Sequence, residues 1–589
     1  MIWGIYALYE RVSGRVRCPG GLSDPLASTI GVKQGCPLSP TLFGLYIDEI
    51  VDFIQQQGGD GIEVHGSTVH ILLYADDIVL VSESAEGLQH HLHGLDDFCR
   101  HRGLSVNLGK TKVLIFHTSA QVRRHSLFTA AGGPIEVVGS YVYLGVTFTA
   151  ASGVFSMAQA ARDRITRGYA ALALMERQCH HAYFQEPCTK GWLFDTLVTP
   201  ALMYGAAIWG PGLATSVWTA LERPQILMIA RLIRSKPSVP HDIIRAELAA
   251  PPMLVEALFQ TICLLHRLRS MDTERIAYRA FEASRDMALA GDTSSWYAQT
   301  RDWLAHHGFD IDRLPPLQYD SHAPTYSLSH QERNRIIRQE IWHTYIQRTW
   351  VSPRGTLPPK MLYYREHFLH ISGTGFIEIP RYMQTYLPHH LRVVIGQLRV
   401  SSHQLEIERG RSRGVPREER WCPVCQTEVE SEEHFVIRCP AYLDLRAQFQ
   451  IEESFQLCMT MGDQRRLGCF LTAAYERRER SLQYIHQPRV STQQTITQFF
   501  QRVELHQRGP SIGLTLHQAE AQRARRRPRM GGYRRPRLYQ EDVSRIRIAY
   551  DHMMEHRRTT TPWVVFLQEA LRPPPMYHIL HPPPPITCR

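Results

Sequence analysis

Lysine is nearly missing from this chain: 6 of its 66 basic residues are lysine and the rest are arginine. Arginine forks onto phosphate and stacks on bases, so the bias suits a nucleic-acid partner, although arginine-rich codon usage would leave the same mark. Long apolar runs are also missing, and nothing approaches the length of a membrane span. The start, Met1-Ile2-Trp3-Gly4-Ile5-Tyr6, soon meets Glu10 and Arg11 and lacks the basic–apolar–small layout of a signal peptide. Twelve cysteines in 589 residues suit a reducing compartment rather than a disulfide framework. What is present is a 43% hydrophobic content, ample for several packed domains, and a net charge of +10 that favours polyanions.

The chain is organised around Leu73-Tyr74-Ala75-Asp76-Asp77-Ile78. Short apolar runs of strand length flank it, Val69 to Leu73 and Ile78 to Val81. Strand, two-residue tip and strand predict a β-hairpin with Asp76 and Asp77 at an exposed tip. Adjacent carboxylates repel, and a hard divalent cation relieves that repulsion. Magnesium takes one or two carboxylates plus phosphate oxygens. A polar turn is the alternative for an Asp-Asp pair taken alone.

The neighbours decide between these. Upstream lies Gly31-Val32-Lys33-Gln34-Gly35-Cys36-Pro37-Leu38-Ser39-Pro40, then Thr41-Leu42-Phe43. Downstream lie Gly103-Leu104-Ser105-Val106-Asn107-Leu108-Gly109-Lys110-Thr111 and Tyr143-Leu144-Gly145-Val146. In this order and spacing, the four motifs resemble those of reverse transcriptases from LINE-type (non-LTR) retrotransposons. The resemblance runs over residues 1 to about 260, and a cysteine–histidine cluster near residue 430 fits the family's tail.

The resemblance implies an α+β fold. Residues 1–150 would be a partial right-hand polymerase palm, an antiparallel sheet with helices, lacking fingers and the first palm strand. That strand's aromatic–Asp and Ala-Phe-Asp signature is not found, and Asp310 and Asp312 read as a solvated turn. Residues 151–270 would be a helical thumb, carrying Pro200-Ala201-Leu202-Met203-Tyr204-Gly205 and Trp209-Gly210. By the same resemblance, Asp76 and Asp77 seat Mg2+ or Mn2+ for nucleotidyl transfer from a deoxynucleoside triphosphate to a primer 3′-end on an RNA template. Gln34, Gly35 and Tyr74 line the nucleotide and template pocket. Lys110 lies near the departing pyrophosphate. Tyr143, Leu144 and Gly145 form the turn that grips the primer duplex. Without the acid that bridges both metals, this chain alone is expected to be inactive, with a full-length element protein supplying the missing parts. The alternative is a catalytically dead remnant that still binds nucleic acid.

Local patterns fill in the rest. Residues 1–30 predict a helix, striped by Ile5, Leu8, Tyr9 and Val12 and ended by Gly14, and then an extended arm. One helix is expected through Phe43, Ile47, Ile50 or Val51, and Ile54, with Asp48, Glu49 and Asp52 on its solvated face. Ser84 caps a helix bearing Leu88, Leu92, Leu95 and Phe98, on which His90, His91 and His93 read as surface residues. Arg162, Arg164 and Arg167 either reach phosphates or form a solvated face. Residues 271–420 read as a mostly helical connector closed by a basic lead-in of Arg409, Arg411, Arg413, Arg417 and Arg420.

Cys422, Cys425, His434 and Cys439 then have the C-x2-C, x8, H-x4-C spacing of a closed zinc set, a module at 421–446. Glu428, Glu430, Glu432 and Glu433 within it repel phosphate, and Arg420, Arg438 and Arg446 are placed to offset them, so folding or docking is as good a role as gripping RNA. Residues 447–515 read as a helical segment, and 516–589 as a disordered Arg/Pro-rich tail. That tail has eight arginines and no acid between Arg523 and Arg537, a pattern that suits nucleic acid and entry into the nucleus. Within it Val543, Ile546, Tyr550 and Met554 mark one short helix, Thr561 and Pro562 open another, and Pro573–575 and Pro582–585 close the chain.

Overall fold

The expected hairpin forms. In the computed structural model, which describes residues 2–10, 12–18, 20–28, 31–33, 35–116, 127–150, 157–315, 329–353, 356–486 and 563–567, β1 (Ile71–Tyr74) pairs antiparallel with β2 (Asp77–Ser82), Leu73 opposite Ile78 and Tyr74 opposite Asp77. Every residue of β2 is buried. Its side chains alternate between faces, as strand geometry requires. Ile78 and Leu80 join a core with Leu88, Leu92, Leu95 and Phe98 of α1 (Ala85–His101). Val79 and Val81 join a second core with Leu114 and Phe116. Ser84 opens α1 as expected, its Oγ accepting from the Gly87 N–H at 3.0 Å, and Gly103 follows the helix at φ +64°.

Apart from short two-stranded pairs such as Ile62–Val64 with Ser67–Val69, the strands are β1, β2, β3 (Lys112–Ile115), β4 (Phe128–Ala130), β5 (Gly133–Val138), β6 (Ser140–Tyr143), β7 (Val146–Thr149) and β8 (Trp563–Leu567). Six of them form one sheet in the order β4-β5-β3-β8-β2-β1. β6 and β7 form a separate hairpin. The sheet is not purely antiparallel, since β5 runs parallel to β3. The helix expected to open at Thr561-Pro562 is instead a strand directly after them. β8 fills the slot between β2 and β3, with Val565 opposite both Leu80 and Val113. The tail reading therefore fails over 563–567. Its arginine run and its other short helix lie outside the described residues.

Three local expectations change. The first helix is only Ile2–Tyr9, and Val12–Gly14 is a strand paired with Leu26–Ser28. The helix through Ile47 and Ile54 breaks at Asp48-Glu49 into Ser39–Ile47 and Ile50–Gln57. His90 and His93 are exposed but His91 is fully buried, its Nε2 3.3 Å from Nδ1 of His70.

Helices dominate from Ala158 onward. The chain divides into one unit of residues 1–404, 451–468 and 561–589, and a second of 405–450 and 469–560. In the first, buried carboxylates tie distant helices. Glu222 accepts from Arg245 at 2.6 Å and from the Met253 and Leu254 N–H groups at 3.1 Å, capping the helix Met253–Arg269. Glu247 meets Arg399 at 3.1 Å and the Tyr364 and Tyr382 hydroxyls, all fully buried. Removing one partner of such a pair leaves an uncompensated charge. In the second unit, Glu430 takes a forked bond from Arg478 at 2.6 and 2.7 Å, and Phe435 packs between Tyr442 and Tyr475. No described helix is long and apolar enough to cross a membrane.

Burial, with the neighbouring His70, lowers the pKa of His91 to about 4. Its folded-state value is depressed, so its contribution is complete above its ordinary value of about 6.5 and is lost as pH falls from there toward about 4. Urea unfolding followed over that window is expected to show a loss on the order of 3 kcal/mol, and His91→Phe should remove that component of the slope.

Candidate active site and metal centre

The turn that joins β1 to β2 consists of Ala75 and Asp76, with Ala75 at φ +54°. A left-handed first position fits the twist of a two-residue hairpin but is strained for a residue with a Cβ. The two carboxylates differ. Asp76 is half-buried at the tip, and Asp77 is 1% exposed. The exposed-tip reading therefore holds in part for Asp76 and fails for Asp77, because Asp77 opens the fully buried β2.

Asp77 lies close to Tyr141 and Tyr143. Burial first, and then the Asp77 charge, push both phenols up to about 12. Tyr74 adds to the effect on Tyr143. The Tyr141 hydroxyl donates to the Lys110 carbonyl at 3.2 Å, tying the Asn107–Lys110 turn to this neighbourhood. Asp76, Asp77, Tyr74, Tyr143 and the Lys110 backbone are thus brought together. Tyr141 was missed by sequence reasoning, although the alternation Ser140-Tyr141-Val142-Tyr143 puts both tyrosines on one face of β6.

β6 and β7 meet in the turn Leu144-Gly145, at φ +45° and +77°, with Tyr143 opposite Val146. Both positive angles mark a mirror-image hairpin turn. The Tyr204 hydroxyl donates to the Leu144 carbonyl at 2.9 Å, and Arg164 lies 4.7 Å over the Tyr204 ring. Arg164 is buried, while Arg162 and Arg167 are exposed, so the three do not form one solvated face. Burial, and then Arg167, lower the pKa of Arg164. Gly35 has φ +83° and open space where a Cβ would stand. Gln34 lies outside them.

In the second unit, the ligand atoms of Cys422, Cys425, His434 and Cys439 lie within 4.8 Å of one another. A turn holds the first two, with the Gln426 N–H donating to the Cys422 carbonyl at 2.8 Å. Glu428 faces His434 Nδ1 at 3.3 Å and leaves Nε2 toward Cys425 Sγ, also at 3.3 Å. An outer carboxylate on the far imidazole nitrogen is how metal-bound histidines are oriented. Three thiols and one imidazole fit a tetrahedral ion. Of the three arginines read as offsetting the acids, only Arg438 pairs with them, at 3.1 Å from Glu428 and 3.0 Å from Glu433. Arg420 donates to the carbonyls of Ile407 and Val415, and Arg446 to that of Cys439. In the basic lead-in, Arg409 and Arg413 pair with Glu406, and Arg411 with Glu408.

Residues 5–148, the segment holding both turns, match the family model of the reverse transcriptase (RNA-dependent DNA polymerase). This segment is a reverse transcriptase domain of the non-LTR retrotransposon type. The chain is 34% identical over 93 residues (16% of this chain, 13% of the relative) to a retrovirus-related Pol polyprotein from type-1 retrotransposable element R2 of Popillia japonica. It is 31% identical over 126 residues (20% and 12%) to the R2 polyprotein of Nasonia vitripennis. Against the type-2 element R2DM polyprotein of Drosophila melanogaster it is 30% identical over 157 residues (25% and 14%). The matches therefore span only 12–14% of these relatives' length.

A Cβ on Gly145 would stand 3.3 Å from the Tyr204 ring and 3.4 Å from Arg164, on a backbone at φ +77°. Gly145→Ala is expected to cost about 1–2 kcal/mol, read as a lower urea midpoint at unchanged slope.

Proposed function

We propose that this chain contributes RNA-directed DNA synthesis in a non-LTR retrotransposon. Its reverse transcriptase domain would direct nucleotidyl transfer from a deoxynucleoside triphosphate onto a primer 3′-end over an RNA template. The carrying observation is the carboxylate pair at the strained turn, Asp76 half-buried in the turn and Asp77 buried at the start of β2 beside Tyr141 and Tyr143. Reverse transcriptases generally use divalent metals. Asp76, with Asp77 beside it, would hold magnesium or manganese, which when bound would neutralise charge on the transferring phosphate. Asp77 would fix the turn beneath it. Residues 1–150 serve as the palm, and 151–270 as the thumb behind it. Lys110 would assist the pyrophosphate, Gln34, Gly35 and Tyr74 the template and nucleotide, and Tyr143, Leu144 and Gly145 the primer.

Among the described residues no third carboxylate joins Asp76 and Asp77 in a metal-holding group. The chain alone is therefore proposed to bind primed template and nucleotide without extending the primer, and a longer element protein to supply the missing acid. Cys422, Cys425, His434 and Cys439 would hold a structural zinc that folds 421–446. The arginine run at 523–537 supports nuclear residence.

Equilibrium dialysis with a labelled deoxynucleotide and primed RNA is expected to show magnesium-dependent binding, at least about tenfold weaker in Asp76→Asn. Primer extension by the chain alone, abolished by the same substitution, would overturn the proposed inactivity.

Metal analysis under reducing conditions should find one zinc per chain. A chelator or Cys439→Ser should unfold the second unit, since such sites supply about 10–16 kcal/mol in small modules. An unchanged melt with no zinc bound would dismiss the assignment.

A further inference from the structure

A cavity of about 680 Å³ lies in the first unit, lined by the aromatic Tyr204, Trp342 and Phe376 and by Thr199, Met253 and Glu256 among others. Its size is that of a small-ligand site. Thr199 follows a π-helical turn at Phe194–Val198, an irregularity found disproportionately at functional sites. Trp342 is stacked on Tyr345 at 5.4 Å and 17°, which fixes the plane of its ring.

The polar groups of the cavity fall into two sets. Glu256 is satisfied, by Arg338 and by the Gln260 amide at 3.0 Å, and Arg338 lies 3.8 Å over the Phe259 ring. Thr199 Oγ1 is buried with no hydrogen-bond partner among the described residues. Asp195 and Gln339, both exposed residues, also line the cavity. Two carboxylates against one guanidinium leave the cavity negative, which repels phosphate and invites N–H donors. Burial, and then Glu256, push Asp195 up to about 6, so it remains mostly carboxylate at neutral pH.

We infer that this cavity takes an unpaired guanine of the bound nucleic acid, stacked on the aromatic wall with its N1–H and N2–H edge donating to Asp195. Guanine is the base whose Watson–Crick edge carries two adjacent donors, the pattern a carboxylate accepts in fork fashion. Splayed bases stacked on aromatic rings and read at that edge are the usual mode of single-strand recognition. Thr199 and Gln339 are then available to the remaining polar positions of the base. Tyr204 belongs both to this cavity and to the Leu144 contact, so a nucleotide here would adjoin the turn proposed to grip the primer. The inference rests on the reverse-transcription reading for the source of that nucleotide.

The test is fluorescence anisotropy of the full chain, at fixed salt, with labelled oligouridine RNA carrying one guanine, inosine or adenine. Guanine should bind about tenfold more tightly than inosine, which lacks the N2 amino group, and more tightly still than adenine. Asp195→Asn should erase the guanine–inosine difference, and Trp342→Leu should weaken all three. Equal binding of the three RNAs, or a preference that survives Asp195→Asn, would overturn the assignment. The Asp76→Asn chain must keep the guanine preference, so failure of the polymerase reading shows in nucleotide binding and not here.

Discussion

Enclosing a carboxylate at 1% exposure is the constraint on which the candidate active site depends. An ionised group taken out of water costs several kcal/mol unless its surroundings replace the lost solvation. Tyr141 and Tyr143 on a separate hairpin lie within electrostatic reach of it, and the tie from Tyr141 to the Lys110 carbonyl brings in a third segment. Three segments of the chain thus meet around one buried carboxyl group. The strain at Ala75 belongs to the same arrangement, because a turn with a positive φ there lets Asp77 begin a buried strand while Asp76 stays at the tip. Two neighbouring acids thereby acquire different burial through backbone geometry.

That charge needs a rigid floor, which β2 supplies. A strand buried on both faces needs hydrogen-bonding partners at both edges. β1 covers one edge. β8, at 563–567, covers the other and also pairs with β3. Bringing together strands so far apart in sequence costs only a few kcal/mol in closure entropy, because the penalty grows with the logarithm of the separation. Two ladders of backbone hydrogen bonds can offset it. The continuity of the sheet under Asp77 therefore involves both ends of the chain, and the compositional reading of the tail had no means of showing this.

Much of the site was legible in the sequence because it rests on short-range patterns. The hairpin follows from two apolar runs around two polar residues, α1 from its leucine spacing and Ser84, and the Cys3His set from ligand spacing. What escaped was decided by tertiary context. His91 is polar but occupies a helix face that the sheet covers. Arg164 belongs to an arginine triplet in sequence, yet helix geometry turns it inward to Tyr204. Asp48-Glu49 interrupts a helix whose apolar positions kept their register across the break, so the periodicity persisted where the helix did not.

The charge balance bears on how nucleic acid would be held. In the second unit the arginines at 409, 411, 413, 438 and 478 all lie in ion pairs with glutamates. Such pairs contribute little field at a distance, since opposite charges a few ångströms apart cancel beyond a Debye length. Against a whole-chain balance of +10, the eight arginines of 523–537, with no acid among them, account for most of the uncompensated charge. Long-range attraction to a polyanion is therefore a property of that stretch rather than of the Cys3His module. Sequence-independent binding and the proposed base recognition would then be carried by different parts of the chain, the first weakening steeply with salt as counterions are released. The second would rest on close contacts and stacking inside a cavity, which salt screens less than long-range attraction.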